Sequence, residues 1–147
     1  MWKQTSAILA GCLVLCALPA AAQSDPELAK SLGGNEMGMK KYVLVILKTG
    51  PRKMPAGAER DAMFKGHFAN MQRLSDDKKL AVAGPLDGVD GWRGVFVMAT
   101  ADIEEAKQLV ATDPVIINGE MVAEYHVFFS SAALMAVGDI HKKISRQ

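Results

Sequence analysis

The chain has little thiol chemistry to offer, because its two cysteines, Cys12 and Cys16, both fall within the first 22 residues. Those residues read as an export leader: Lys3 precedes an apolar run from Ala7 to Leu18, followed by Pro19 and the small-residue site Ala20-Ala21-Ala22. Cleavage after Ala22 leaves a mature chain without cysteine, which excludes thiol nucleophiles, disulfides and thiolate metal sites. It addresses the protein to the periplasm or the exterior. Two other readings of the leader stay open. An uncleaved anchor would need roughly 20 apolar residues to span a bilayer, and this run is well short of that. Leu9-Ala10-Gly11-Cys12 matches a lipobox, which would make a lipoprotein anchored at Cys12, although Ala7 to Gly11 is a short apolar segment for such a leader.

A charge excess of either sign is also missing. Lys and Arg number 17 against 16 Asp and Glu, and loss of Lys3 with the leader brings the mature chain to balance. No field remains to attract nucleic acid or an anionic membrane, and no stable membrane span is expected after processing. Neither Thr49-Gly50-Pro51 nor Gly84-Pro85-Leu86 has the Gly-x-x-x-x-Gly-Lys pattern of a phosphate loop. The three histidines, His67, His126 and His141, show no metal-ligand spacing, so no metal and no cofactor is expected. His141 sits beside Lys142 and Lys143 and reads as solvated. The nine methionines read as core or pocket filler.

What is present is enough for one domain: 147 residues, half of them apolar. After the leader (1–22), residues 23–40 mix Pro, Gly and Ser without a sustained period and are expected to be a flexible linker holding at most a helical turn. Lys41 to Lys48 (KYVLVILK) is a continuous apolar strand. A helix over about Glu59 to Asp77 places Phe64, Phe68, Met71 and Leu74 on one arc, with His67 inside it. Leu80 to Gly84 and Arg93 to Ala99 are strands separated by a glycine-rich turn. A second helix runs from Ile103 to about Thr112, with Asp102 as N-cap and Glu105 in a variant capping box, and Asp113-Pro114 stops it. Met121 to Ser130 is the fourth strand, and residues 132–147, after the domain at 41–131, are expected to form a solvated tail with room for a helix.

The order strand, helix, strand, strand, helix, strand defines an α+β class and the ferredoxin-like βαββαβ arrangement, with both helices on one face of an antiparallel sheet. The first three strands are apolar on both faces. An open apolar face of that size predicts a homodimer packed sheet against sheet.

His67 is the leading candidate for chemistry, and two readings of it stand: a buried histidine bonded to a backbone carbonyl, or an acid/base residue. Asp113 favours the second, because this fold brings the end of the second helix beside the first. A carboxylate on one ring nitrogen would leave the other free to take or give a proton. Arg93 is a candidate clamp for a carboxylate or phenolate, with Trp92 stacking on a planar ligand. A strand-edge charge and a hydrophobic plug explain the same two residues.

With these residues in view, the chain resembles the YciI-like, or YCII-related, family of small ferredoxin-like proteins. The matching pieces are GHFANMQRL with His67, KKLAVAGPLD, the Gly94-to-Met98 strand, the ADIEEAKQLV helix, and DPVIINGEM with Asp113-Pro114. The resemblance covers nearly all of Lys41 to Phe129. It implies similarity in fold to dimeric α/β-barrel proteins such as muconolactone isomerase, and it implies that His67 and Asp113 correspond to the family's proposed active-site pair. The chain departs from many members in carrying a leader and in having Val115, where they have an aromatic, after the Asp-Pro. Two functions are therefore expected as alternatives. One is a small-molecule enzyme using His67 and Asp113 for proton transfer of lyase, isomerase or dehydrohalogenase type. The other is a non-catalytic small-ligand-binding or accessory module.

Overall fold

A computed structural model describes residues 24–145; the leader with Cys12 and Cys16, and the last two residues, lie outside the described range. The elements in order are α1 (Pro26–Ser31), β1 (Met39–Thr49), α2 (Ala58–Asp76), β2 (Leu80–Pro85), β3 (Trp92–Met98), α3 (Ile103–Val110), α4 (Pro114–Ile117), β4 (Met121–Ser131) and α5 (Val137–Ile144). One-turn 3₁₀ segments lie at Val89–Gly91 and Ala132–Ala136. The four strands form one antiparallel sheet in the order β2-β3-β1-β4. This α+β arrangement is compatible with the ferredoxin-like plan.

Side chains alternate across β1, so Val43, Val45 and Leu47 face the helices while Tyr42, Leu44 and Ile46 face the other way. The helix-side residues pack with Leu80, Phe96, Met98, Met63, Leu74, Ala106, Val110 and Val115 into the main core. This layer carries most of the apolar burial, at about 1.5 to 3 kcal/mol for each fully buried large side chain.

The outer face is less open than the sequence suggests. Tyr42, Ala81 and Val97 are buried there, and Leu134 and Met135 from the 3₁₀ segment after β4 pack onto them. The Tyr42 hydroxyl donates to the Ser131 carbonyl at 3.0 Å, and burial pushes its phenol above the usual range. α5 is fastened to the end of α2 by Lys78–Asp139 and Lys142–Asp76 pairs, both 2.7 Å. These are exposed and position the helix more than they stabilise it. The tail expected to be a solvated appendage is thus a partial cover for the sheet. Its short apolar pair, Leu134 and Met135, does this, and the charged end that dominates the sequence reading does not.

The stretch expected to be a linker also carries structure. Asp25 caps α1 by accepting from the Leu28 N–H, with Pro26 opening the helix. Asn35 Oδ1 accepts from the Met37 and Met39 N–H groups, and the Ala132 N–H donates to the Gly38 carbonyl at 2.8 Å, which ties residues before β1 to the end of β4. Asp102 caps α3 as expected, but Glu105 does not close a capping box. It accepts from Thr100 and pairs with Lys79 at 2.8 Å, while the Asp102 N–H donates to the Thr100 hydroxyl. Among the described residues no helix is long and apolar enough to cross a membrane.

Candidate functional site

The arc read from α2 divides into two seams. Met63, His67 and Leu74 are buried against the sheet and α4, whereas Phe64, Phe68 and Met71 turn toward a cavity, and Phe68 is 62% exposed at its rim. The two sets interleave along α2 and occupy adjacent strips of its surface. A single amphipathic arc in sequence is then shared between core and pocket wall.

α3 ends at Val110, and Asp113 opens a second, short helix, α4, that the sequence reading missed. The signal was present: Asp followed by Pro is an N-cap followed by a favoured first helical residue. The Asp113 carboxylate accepts from the Val115 N–H at 3.1 Å. Gly66 lets α4 come close to α2, because a Cβ at that position would lie 3.0 Å from the Pro114 ring. The approach brings Asp113 to His67.

His67 Nδ1 lies 2.9 and 2.8 Å from the two Asp113 carboxylate oxygens. His67 is 7% exposed and Asp113 is fully buried. The contact is therefore to a carboxylate, not to a backbone carbonyl, and it fixes which nitrogen is engaged. With Asp113 ionised, Nδ1 is the donor, and Nε2 has no hydrogen-bond partner among the described residues. The imidazole is stacked on Phe96, with ring centroids 6.1 Å apart, and meets the edge of Phe64. Asn70 supports Asp113 with a long 3.5 Å contact, and is itself held by Arg73 and Thr112.

His67 lines a cavity of about 360 Å³ together with Leu47, Phe64, Phe68, Met71, Phe96 and Met121, and with Gly84 to Leu86, Arg93 and Gly94 from the β2 end and β3 start. Its volume and mostly apolar wall suit one small organic molecule. The space exists because Gly94 puts no side chain on the helix side of β3; a Cβ there would approach the Gly84 carbonyl at 3.2 Å and the Leu47 methyl at 3.8 Å. A register shift between Leu47 and Lys48 pairs Lys48 with Trp92, so Arg93 is the extra residue and lines the cavity.

The two residues expected to form a clamp therefore part company. Arg93 lines the cavity, whereas Trp92 pairs with Lys48 at the outer-face register, is 44% exposed and does not line it. The bulge separates them, and nothing in the local composition announces a bulge.

Glu120 is a site residue that sequence reading passed over. It is 2% exposed, accepts from the Met54 N–H at 2.7 Å and from Arg60 at 3.0 Å, and lies 4.0 Å from Arg93. The Met54 bond, then the two arginines, hold its carboxyl below the usual glutamate range in spite of burial. The segments just after β1 and just before β4 also press backbone on backbone: a Cβ at Gly50 would meet the Gly119 carbonyl, and the Gly50 N–H donates to the Glu120 carbonyl at 2.8 Å.

His126 lies away from this site, exposed and 2.8 Å from Glu124, and His141 sits on α5 across Phe68 and Met71 from the cavity. Among the described residues no three His, Cys, Asp or Glu side chains are grouped to hold a metal ion.

The chain is thus a small α+β protein with a carboxylate-held histidine at the wall of a mostly apolar cavity. The model of the YCII-related domain matches residues 41–129, and the chain belongs to that family. A search of curated proteins finds no match.

Replacing Asp113 separates its two duties. Asp113→Asn keeps an N-cap residue and loses the charge-assisted bond, and is expected to cost about 1 to 2 kcal/mol; Asp113→Ala loses the cap as well, adding about 1 kcal/mol, both read from urea unfolding. Glu120 carries a pH signature. A carboxyl depressed in the folded state contributes stability in full above the ordinary glutamate range, near 4.3, and that contribution is lost as pH falls below it toward the folded value. Glu120→Gln should lower the unfolding free energy by about 1 to 3 kcal/mol near neutrality and flatten its fall as pH drops below about 4.3.

Proposed function

We propose that the protein is a cofactor-independent enzyme that moves a proton on a small organic molecule, in a reaction of lyase, isomerase or dehydrohalogenase type. The observation that carries this reading is the Nδ1–Asp113 contact, 2.8 Å, of a histidine whose ring lines the cavity. Asp113 fixes the tautomer and steadies the imidazolium that forms when Nε2 accepts a proton. On a substrate with an acidic C–H, the proton goes to Nε2 and the C–H electron pair moves into a new C=C bond. In an elimination the leaving group departs with its own bonding pair. In an isomerisation the π pair of a neighbouring C=C bond is displaced to its far carbon and there takes the proton back from Nε2. Arg93 takes the role of substrate-binding residue, at the cavity wall.

A second reading, a non-catalytic ligand-binding module, is favoured by one observation: Asp113 already serves as the cap of α4, so its bond to His67 also works as a lock between two helices.

The site is proposed to belong to an exported homodimer of the dimeric α/β-barrel type. The second copy would sit on the part of the outer face that Leu134 and Met135 leave uncovered, around Trp92 and Val122, both 44% exposed. Sedimentation at micromolar concentration should then return twice the mass of the mature chain; a single-chain mass would overturn the dimer.

A thermal-shift screen of small enolisable and halogenated ring compounds on the mature chain, repeated on His67→Ala, tests the catalytic reading. Hits should raise the midpoint of the wild type by several degrees and that of the variant much less, and at least one hit should be turned over by the wild type alone. Equal binding to both proteins without turnover would support the binding module.

A further inference from the structure

We propose that the ligand of this cavity carries a carboxylate anchored by Arg93, and that Arg60, which does not line the cavity, keeps Arg93 available by occupying Glu120. The inference rests on the reading of the cavity as the ligand site, and it does not depend on proton transfer.

Arg93 brings five N–H donors to the cavity, and among the described residues none of them has an acceptor within hydrogen-bond distance. The nearest carboxylate oxygen, Glu120 Oε1, is 4.0 Å away. That carboxylate is already engaged, with Oε2 accepting from the Met54 N–H and Oε1 accepting from Arg60 Nη2. Two guanidinium groups therefore share one anion, and a single positive charge is left over on the cavity side. Arg60 is set for this task by its place over the Phe64 ring, 4.6 Å from guanidinium carbon to centroid. Its Nε is buried without a partner, so Glu120 is its principal anchor among the described residues.

The other walls say what the ligand's body should be. Phe64, Phe68, Phe96 and Leu47 surround the space with apolar surface, and a volume of about 360 Å³ takes one substituted ring. Asp113 is fully buried and its carboxylate is engaged by His67, so it is not offered to Arg93 as a partner. An arginine fork matches a planar carboxylate with two parallel hydrogen bonds. A phenol, with an ordinary pKa of about 10, would enter neutral and leave the charge unmet. In apolar surroundings an unmet charge weighs more than it does in water.

Benzoate and benzamide are the probes, near-identical in shape and differing in charge, titrated against the mature chain by calorimetry. The wild type should bind benzoate at least about ten-fold more tightly than benzamide. Arg93→Gln should abolish that preference with benzamide unchanged, and Arg93→Lys, which keeps the charge and loses the fork, should restore part of it. Arg60→Gln should also reduce the preference, because Glu120 is then released to pair with Arg93. A purely structural Arg60 would leave the preference intact, and that result would overturn its role. Equal affinity for the two probes, or no benzoate binding up to about 10 mM, would overturn the carboxylate assignment. Thermal unfolding confirms that each variant is folded, and the Lys variant carries the test if Arg93→Gln is not. Turnover is not read in this experiment, so loss of the acid/base reading and loss of the carboxylate reading are separate results.

Discussion

The Asp113 carboxylate joins two parts of the chain that are far apart in sequence. One oxygen terminates the backbone of α4 by accepting the Val115 N–H, and both reach the His67 ring. A fully buried carboxylate is costly unless its lone pairs are met, and here the cap and the imidazole meet them. The same two contacts hold α4 against α2, turn the His67 ring onto Phe96, and leave Nε2 without a protein partner. The helix cap and the orientation of the imidazole thus draw on one group, so the two Asp113 substitutions have to be compared with each other.

The cavity is made as much by what is missing as by what lines it. Gly94 withholds a side chain from the helix side of β3, Gly66 admits Pro114, and the bulge at Leu47/Lys48 delivers Arg93 to the space that Gly94 leaves. Around it the charges are arranged unequally. Glu120 is surrounded by donors and stays ionised, while Arg93 keeps its donors unspent at the edge of an apolar chamber. A mostly apolar cavity of this kind carries few polar groups, and those beside it are held by contacts behind them.

The outer face shows how a sheet with two apolar sides can be partly closed by its own chain. Leu134 and Met135 reach Tyr42, Ala81 and Val97, and the exposed pairs between α5 and α2 fix the direction of the tail. Coverage is incomplete around Trp92 and Val122, both 44% exposed. Cover by the chain itself and cover by a second copy are thus compatible on this sheet, each taking a different end.

By itself the sequence determined the four strands and the two main helices to within a residue or two, and with them the α+β class, because these rest on local periodicity, capping residues and turn chemistry; the family was legible in the resemblance carried by motifs such as GHFANMQRL and DPVIINGEM. His67 and Asp113 were legible as a pair because the strand and helix order brings their elements together. What lay beyond it were features that depend on register and contact. The bulge that parts Arg93 from Trp92 is a property of two strands at once, and so no single strand announces it. Glu120 follows a glycine in a loop and looks like any solvated glutamate until Met54 and Arg60 close around it. α4 is four residues long, too short for a period, and only its Asp-Pro start was written in the chain. The tail looked solvated because its charges outnumber its apolar residues, yet packing is decided by the few side chains that find a surface. Tertiary structure alone decided that one carboxylate, Asp113, would be shared between a helix cap and an imidazole, since that sharing requires two helices to meet within hydrogen-bond distance.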